Sequence, residues 1–206
     1  MQKINFNDRY GLTQAVIEGR KTMTRRLIPD EFFGLTWDTR GNTLVYENEY
    51  GDFIDVRLSK YTRYKVGEIV AVAQRYQDIF DYSNCVNPYA WEDDDKPSGW
   101  TNKMLTKAKL MPHQIRITGI KCERLQDISD EDCIKEGIFV NEYVGNGKKC
   151  HHYGFDGFFD ETAGWFARGW YNTPRKAFAT LIDKVSGRGT WGLNPWVVVY
   201  EFELVK

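Results

Sequence analysis

The sequence predicts an α+β fold in one elaborated domain, with roughly six to eight strands and about three helices. Runs of β-branched and aromatic residues, separated by Gly, Asn and Asp turn signals, recur along most of the chain. Helical periodicity is confined to three short stretches. No internal repeat and no linker-like composition divides the 206 residues, so one domain is the simplest organisation.

The first helical stretch lies near the N-terminus and leads into a basic segment. An apolar stripe at i, i+3 and i+4 begins at Leu12, and either Asn7 or Asp8 can cap the helix. Gly19 stands where a helix usually ends. The segment that follows, Arg20–Arg26, is rich in cations and hydroxyl groups.

The middle of the chain predicts strands. Residues 34–58 are typical of a small β-meander, with turn signals at 40–42 and 50–52. Ile69–Ala73 has no polar alternation, which is typical of a short strand buried on both faces. Gln114–Leu125 predicts a long strand, because apolar and polar residues alternate along its first half.

Two further helices and a closing strand follow. Ser129 can cap a short helix that ends at Gly137. Thr173 and Pro174 begin the clearest helix of the chain, which carries apolar residues at i, i+3, i+4 and i+7. The chain then enters a final strand, Trp196–Leu204, whose first half is apolar enough to be buried on both faces.

Two stretches predict loop insertions. Residues 77–101 are aromatic and acidic, and their acidic run, Glu92–Asp95, lacks the alternating ligands and the glycine of an EF-hand loop. A solvated run of charges is the better interpretation of these four residues. Residues 138–172 are rich in Gly and aromatic side chains without helical periodicity.

Composition excludes several classes of protein. A chain that is 42% hydrophobic and 15% aromatic, with a net charge of −1, does not have the composition of a disordered protein. No apolar run approaches the ~18–20 residues of a membrane span. The N-terminal residues lack the apolar core of a secretory signal. We therefore expect a cytoplasmic protein without a membrane partner.

The four cysteines favour free thiols over disulfide bonds or a metal site. None belongs to a Cys-x-x-Cys pair, and a disulfide framework is unusual in a chain of this length without a secretory signal. The one metal-like cluster is Cys150–His152, but adjacent ligands cannot all face one ion without an unusual loop. We expect no metal ion and no cofactor, with this cluster as the minor alternative.

The charge balance conceals two basic segments. Residues 1–26 carry a local charge of +4, and residues 100–121 carry +5 with no acidic residue. The acidic residues are concentrated elsewhere, notably at 92–95 and 127–136. A chain that is neutral overall can therefore present a basic face to nucleic acid, with aromatic side chains to stack on bases. The alternative, that folding scatters these charges over different faces, is equally open.

The segment from Lys21 to Arg26 has two interpretations. It can be an exposed edge strand, where cations are ordinary, or a contact for a phosphate or a nucleotide. A desolvated Lys21 near the Thr24 hydroxyl would also permit nucleophilic catalysis. Strict strand alternation places these two residues on opposite faces, so cooperation requires a bend at Thr22–Met23. Spacing alone does not identify the acidic group that such chemistry needs.

A resemblance to a known family begins at the same segment. Gly19–Arg26 resembles the Gly-x-Lys-x-x-Thr-x-Arg signature of ASCH-domain proteins of bacteria and phages, which are relatives of the PUA domain. About half of the chain shares the resemblance, in the family's order, and the further blocks are 64–70, 110–117, 123–138 and 194–202. The segments without a match are interpreted as insertions at about 30–60, 77–100 and 139–172.

This resemblance implies a fold and two functions. The fold is a PUA-like mixed β-barrel flanked by about three helices, with loop and β-meander insertions. One function is the binding of RNA, single-stranded nucleic acid or a modified nucleoside in a basic cleft. The alternative is an amidohydrolase that deacylates N4-acetylcytidine-type substrates with a Lys-Thr-Glu triad. Matched by position, that triad is Lys21, Thr24 and Glu136.

The resemblance also implies roles for these side chains. Thr24 would attack the acyl carbonyl or position a water molecule, Lys21 would be its base, and Glu136 would pass a proton to the leaving amine. The chain departs from the family pattern where many relatives carry Arg-Glu after the core strand, since Gln74 replaces the carboxylate. The candidate substrate-binding residues are Arg25, Arg26, Gln74 and Lys103. The oligomeric state is not indicated.

Overall fold

The computed structural model describes residues 1–29, 34–80, 96, 98–145, 148–157 and 170–205. Within them, the strands are β1 (Lys3–Ile4), β2 (Met23–Leu27), β3 (Thr36–Asp38), β4 (Thr43–Glu47), β5 (Phe53–Asp55), β6 (Ile69–Val72), β7 (Gln114–Arg124), β8 (Phe139–Gly145), β9 (Lys148–Gly154) and β10 (Trp196–Leu204). The helices are α1 (Leu12–Ile17), α2 (Tyr76–Ile79), α3 (Asp130–Lys135), α4 (Pro174–Ser186) and α5 (Thr190–Leu193).

Five of the strands form the main sheet, in the order β1-β6-β7-β10-β2. β1 runs parallel to β6, and the other neighbours are antiparallel. β10 lies between β7 and β2, and its apolar half, Val197–Tyr200, is buried. A strand with neighbours on both sides and covered faces needs a continuous apolar run, which explains the composition of this segment.

The expected barrel is wrong for the described part of the chain. The strands there form three separate sheets, and none of these sheets closes on itself. Closure of the main sheet would require β1 to pair with β2, but β1 has only two residues and pairs with β6. The link across this gap is a side chain, since the Arg26 guanidinium donates to the Asn5 carbonyl at 2.6 Å. One edge of β2 is consequently left without a partner strand.

The expectation of about three helices is also wrong. The described residues contain five, and the two additional helices, α2 and α5, have four residues each. A single helical turn is too short to show an amphipathic period in the sequence. The predicted first helix begins later than expected, because Gly11 adopts a left-handed φ of 64° between a 3-10 turn at Asp8–Tyr10 and α1.

Two smaller sheets occupy parts of the segments interpreted as insertions. β3, β4 and β5 form an antiparallel three-stranded sheet. β8 and β9 form an antiparallel hairpin where the sequence predicted only a loop, since Gly and aromatic residues there hide the strand alternation. The acidic run at 92–95, and most of the 77–100 insertion around it, lies outside the described residues.

The helices α3 and α4 pack against each other, and each begins at a capping residue. The Ser129 hydroxyl accepts from the Asp132 amide at 3.1 Å at the start of α3, and the Thr173 hydroxyl accepts from the Lys176 amide at 3.3 Å at the start of α4. The buried face of α4 includes Phe178. Within the described ranges, no helix combines the length and the apolar character needed to cross a membrane.

Three cysteines of the described residues carry free thiols, and two of these, Cys122 and Cys133, are buried. Burial raises the pKa of each of these thiols to about 12. Because an unfolded thiol loses its proton near pH 8.5, the unfolded chain binds fewer protons than the folded chain above that pH. Folding stability contributed by the two thiols is therefore present below about pH 8.5 and is lost as the pH rises towards 12.

We expect the urea midpoint of the reduced protein to fall between about pH 7.5 and pH 10, and to fall less in the C122A/C133A double variant. Urea denaturation of both proteins at the two pH values measures this difference. The buried tyrosines Tyr64 and Tyr200, whose pKa values burial also raises, contribute the part of the loss that both proteins share. Equal losses in the two proteins would contradict the role of the thiols.

Candidate active site

A cavity of about 280 Å³ lies beside the strand β2. One wall is polar and comes from β2, the end of α3 and residues 5–7, whereas the opposite wall is the apolar face of α4. The polar wall contains Lys21, Thr24, Arg25, Arg26 and Glu136. The α4 wall contains Phe178, Leu181, Ile182 and Val185. The cavity therefore has charged groups on one side and an apolar surface on the other.

Lys21 lies two residues before β2 and lines the cavity. Its backbone amide donates to the Ala15 carbonyl at 2.9 Å, and the Thr22 amide donates to the Lys135 carbonyl at 2.9 Å. The chain is thus held between α1 and α3 and enters β2 only at Met23. The consecutive residues Thr24–Leu27 of β2 also line the cavity, so side chains from both faces of this strand border it, and Lys21 and Thr24 line it together.

Lys21 and Glu136 form a buried ion pair. The Lys21 Nζ lies 2.6 Å from Glu136 Oε2 and also donates to the Glu136 backbone carbonyl at 2.7 Å. The exposed fractions of the two side chains are 2% and 5%. Burial lowers the pKa of Lys21 against the opposing attraction of Glu136, and the nearby Arg26 and Arg25 lower it further. Lys21 consequently gives up its proton more readily than an ordinary lysine.

Local chain geometry brings Glu136 to this position. Glu136 ends α3, and its amide donates to the Asp132 carbonyl at 2.9 Å. Gly137 follows with a φ of 105°, in the left-handed region that favours glycine. A Cβ atom at residue 137 would lie 3.2 Å from a Leu12 methyl and 3.6 Å from Lys21 Cδ. The glycine therefore turns the chain and leaves space for the lysine side chain.

Thr24 presents a free hydroxyl to the cavity. Its residue is only 5% exposed, and the hydroxyl forms no hydrogen bond with any residue that the structure describes. Hydrogen bonds from Phe202 to Thr22 and from Ile28 to Trp196 set the register of β2 on β10. In this register the backbone groups of Thr24 face β10, whereas the N–H of Arg25 points to the unpaired edge of the sheet.

Arg25 is buried and its guanidinium is surrounded by carboxylates. It lies 2.6 Å from Glu123, 3.1 Å from Asp132 and 3.1 Å from Glu136, and its side chain has no exposed surface. Burial by itself would lower the pKa of Arg25, but Glu136 and Glu123 outweigh this effect and raise it. The three carboxylates occupy the donors that a phosphate would require, so the guanidinium is committed to the protein.

Arg26 is placed differently from Arg25. Its side chain is exposed, donates to the Asn5 carbonyl at 2.6 Å, and lies 5.8 Å from the centre of the Phe6 ring. Lys21 Nζ lies at the same distance from that ring. Arg26 is therefore the cation of the polar wall that can turn towards a bound molecule.

Gln74 and Lys103 lie away from the Lys21 cavity. Lys103 Nζ donates to the Phe6 carbonyl and to Asp8, with 2.7 Å to the Asp8 carboxylate. Gln74 lines a separate cavity of about 350 Å³, whose lining also includes Asp8 and Thr13. Among the residues that the structure describes, the buried Gln74 Oε1 has no hydrogen-bond partner. The structure thus brings Lys21, Thr24, Arg25, Arg26 and Glu136 together and leaves these two residues outside.

Folding pairs several cations of the basic segment 100–121 with acids. Lys103 pairs with Asp8, Arg116 lies 3.0 Å from Glu203, and Lys121 lies 2.9 Å from Glu123. Three of the five cations of this segment, two of them on β7, therefore have an acidic partner close by.

The described residues contain no group of three or more His, Cys, Asp and Glu side chains that could hold a metal ion. The candidate cluster Cys150–His152 lies on β9, where successive side chains alternate between faces. His151 approaches Glu142 at 3.2 Å, whereas His152 approaches Tyr143 at 3.2 Å.

Sequence reasoning missed two groups of site residues. Glu123 and Asp132, which hold Arg25, are separated from it by about a hundred residues and carry no motif. The apolar wall of α4 shows in the sequence only as an amphipathic stripe, and such a stripe does not distinguish a cavity wall from core.

The function of this cavity has to be argued from its own residues and their geometry. No protein-family model, curated protein or solved structure matches the chain at a significant level.

Proposed function

We propose that the protein is an amidohydrolase that removes the acyl group from a small acylated amine of the N4-acetylcytidine type. The observation that carries this proposal is the placement of a buried Lys21–Glu136 pair and an unbonded Thr24 hydroxyl in one cavity. A base, a proton carrier and a nucleophile in one concave site are the parts that acyl transfer needs. The ASCH resemblance implies the same three residues.

The size and lining of the cavity suit a nucleoside-sized amide. Its volume of about 280 Å³ is close to the lower end of the range for small-molecule sites, about 300–1,000 Å³. The α4 wall offers Phe178 and aliphatic side chains to a pyrimidine ring. The polar wall would then face the acyl group.

The first half of the reaction forms an acyl-threonine. The deprotonated form of Lys21, which its lowered pKa favours, takes the Thr24 hydroxyl proton as the oxygen attacks the acyl carbonyl, which forms the C–O bond of a tetrahedral intermediate. The proton passes from Lys21 to Glu136 through their 2.6 Å hydrogen bond. Glu136 then delivers it to the leaving nitrogen as the C–N bond breaks. The free amine departs, and Lys21 is again neutral.

The second half uses water. Lys21 takes a proton from a water molecule that attacks the ester carbonyl, and the same proton returns to the Thr24 oxygen as the ester bond breaks. The products are the carboxylic acid and the amine. In the alternative mechanism, a water molecule positioned by Thr24 attacks the acyl carbonyl directly, and no ester forms.

The free edge of β2 supplies donors for the negative oxygen of the tetrahedral intermediate. The backbone N–H of Arg25 directly follows Thr24 and points away from β10. An N–H fixed in this way stabilises developing charge without reorganisation. The exposed Arg26 guanidinium is the second available donor.

The binding of RNA or single-stranded nucleic acid has less support. The buried guanidinium of Arg25 is committed to carboxylates, and three cations of the 100–121 segment are paired with acids. A long strand would need a continuous positive groove. A nucleoside is therefore the better match to the cavity.

The proposal is tested with the purified protein and N4-acetylcytidine, by chromatographic measurement of cytidine and acetate release. We expect turnover by the wild-type protein and a loss of about 10²–10⁴-fold in T24V, which keeps the shape of Thr24 and removes its hydroxyl. T36V is the matched control, because Thr36 lies on the exposed strand β3.

Equal activity of T24V and T36V would remove Thr24 from the mechanism. An inactive wild-type protein that binds oligonucleotides with an affinity that falls steeply with salt would favour the nucleic-acid function instead.

A further inference from the structure

Arg25 connects the Lys21 cavity to a cluster of charges behind it. Glu123 accepts from both Nε and Nη2 of Arg25, and Asp132 accepts from Nη2 at 3.1 Å. Lys121 lies 2.9 Å from Glu123 on the far side of the cluster. The remaining terminal nitrogen of Arg25, Nη1, donates to Glu136 Oε1 at 3.1 Å.

The register of the sheet explains how these groups meet. Arg25 on β2 is opposite Val199 on β10, and Val199 is opposite Lys121 on β7. Directly paired residues project from the same face of a sheet, and so does Glu123, two residues beyond Lys121. The Arg25 side chain therefore crosses over Val199 to reach Glu123, and α3 supplies Asp132 from above the same face.

Stability alone does not account for so many charges in a buried position. The desolvation of several ions consumes much of their mutual attraction, and apolar replacements of similar volume are often neutral or stabilising. The carboxylates of Glu123 and Asp132 do leave the Arg25 guanidinium with one defined orientation. In that orientation, Nη1 of Arg25 points at the carboxylate of Glu136.

We propose that Arg25 is a positioning residue, held from behind by Glu123 and Asp132, which binds Glu136 Oε1 so that Oε2 is presented to Lys21. The two oxygens of Glu136 then have separate partners, at 3.1 Å and 2.6 Å. The carboxylate cannot rotate without breaking one of these contacts. The proton path from Lys21 to the leaving nitrogen has a fixed geometry as a result.

Arg25 also controls the charge balance around Lys21. Among the residues lining the cavity, the charged groups that face Lys21 are Glu136 from the end of α3 and the two arginines Arg25 and Arg26 from β2. The α4 wall and residues 5–7 contribute no charge. Because Arg25 shares the Glu136 carboxylate, Lys21 receives only part of its attraction. Release of Glu136 Oε1 would stabilise the protonated form of Lys21.

The catalytic part of this inference rests on the proposed hydrolase function, but its test has a readout that does not need activity. Protein labelled with [ε-¹³C]lysine is titrated by NMR, and the Lys21 resonance is identified as the one missing from K21M. R25K keeps the positive charge but cannot reach three carboxylates. We expect its Lys21 titration midpoint to lie about one pH unit higher than in the wild-type protein.

E203Q is the matched control, because Glu203 is likewise a carboxylate paired with an arginine, Arg116, but is exposed and lies outside the cavity. We expect its Lys21 midpoint to stay at the wild-type value. Where the hydrolase is active, the acid limb of its pH–rate profile should move upwards in R25K and stay in place in E203Q. The double variant R25M/E123Q, which loses one charge of each sign, is titrated if R25K does not fold.

An unchanged Lys21 midpoint in R25K, or in R25M/E123Q if it takes its place, would overturn the positioning role. The outcomes for the two proposals are separable. A shifted midpoint in a protein without hydrolase activity supports the role of Arg25 and removes the proposed function. Hydrolase activity with an unshifted Lys21 midpoint supports the proposed function and removes the positioning role of Arg25.

Discussion

K21M is expected to lower kcat/KM for N4-acetylcytidine by about 10³-fold, in the range that loss of a positioned base produces. Met keeps most of the volume of the buried lysine and removes the atom that takes the proton from Thr24 or water. No other lysine lines the cavity among the described residues, so none can replace it. Deacylation kinetics with saturating and limiting substrate measure the loss.

The variant should remain folded, because Glu136 keeps its contact with Arg25 at 3.1 Å after Lys21 is removed. K109M is the control, since Lys109 is exposed and lies outside the cavity. It should retain wild-type kinetics. A K21M protein that is folded by circular dichroism and keeps more than about a tenth of the activity would exclude Lys21 as the base.

Part of this site could be predicted from the sequence. The density of cations and threonines in residues 20–26 marks a candidate segment without any knowledge of the fold. Strand alternation, however, places Lys21 and Thr24 on opposite faces. The structure removes this conflict because the consecutive residues Thr24–Leu27 all line the cavity, so side chains from both faces of β2 reach it. A strand at the edge of a sheet can border a cavity with both of its faces, and the alternation pattern of a sequence does not show which strand lies at the edge.

The acidic partners of the site show a different limit. Glu136 came only from the family resemblance, and Glu123 and Asp132 were not predicted at all. They meet Arg25 because β10 lies between β2 and β7, and this order joins segments about a hundred residues apart. The periodicity and the local charge of a sequence do not indicate the order of strands in a sheet. The sequence therefore makes Arg25 a candidate for a phosphate or oxyanion contact, whereas the structure buries it among three carboxylates.

The prediction of a barrel was wrong for a related reason. The blocks that resemble the family include β2, β6, β7 and β10, which are neighbours or near neighbours in one sheet. Whether that sheet closes depends on β1, which has two residues and lies outside these blocks. The consequence for the site is direct, because the open edge of β2 borders the cavity and leaves the Arg25 N–H unpaired by a strand. The departure from the expected fold and the proposed oxyanion donor thus have one cause.

R25M is expected to lower the free energy of unfolding by about 3–5 kcal/mol, the cost of removing one partner from a buried ion cluster. The guanidinium has no exposed surface, and three carboxylates lose a hydrogen bond when it is removed. Urea denaturation at neutral pH measures the effect. The midpoint should move while the slope with urea stays constant, since the same surface is exposed on unfolding.

A double-mutant cycle with E123Q separates the charge cluster from simple packing. If the loss in R25M arises from carboxylates left without their cation, removal of one of those charges should restore part of the stability. R25M/E123Q is therefore expected to be more stable than the sum of the single losses, with a coupling of about 0.5–3 kcal/mol. Additive losses would mean that the side chain of Arg25 acts through its volume. In that case the charge of Glu123 would not be coupled to the Arg25 guanidinium. The orientation of Glu136, which this guanidinium binds, could then not depend on that charge.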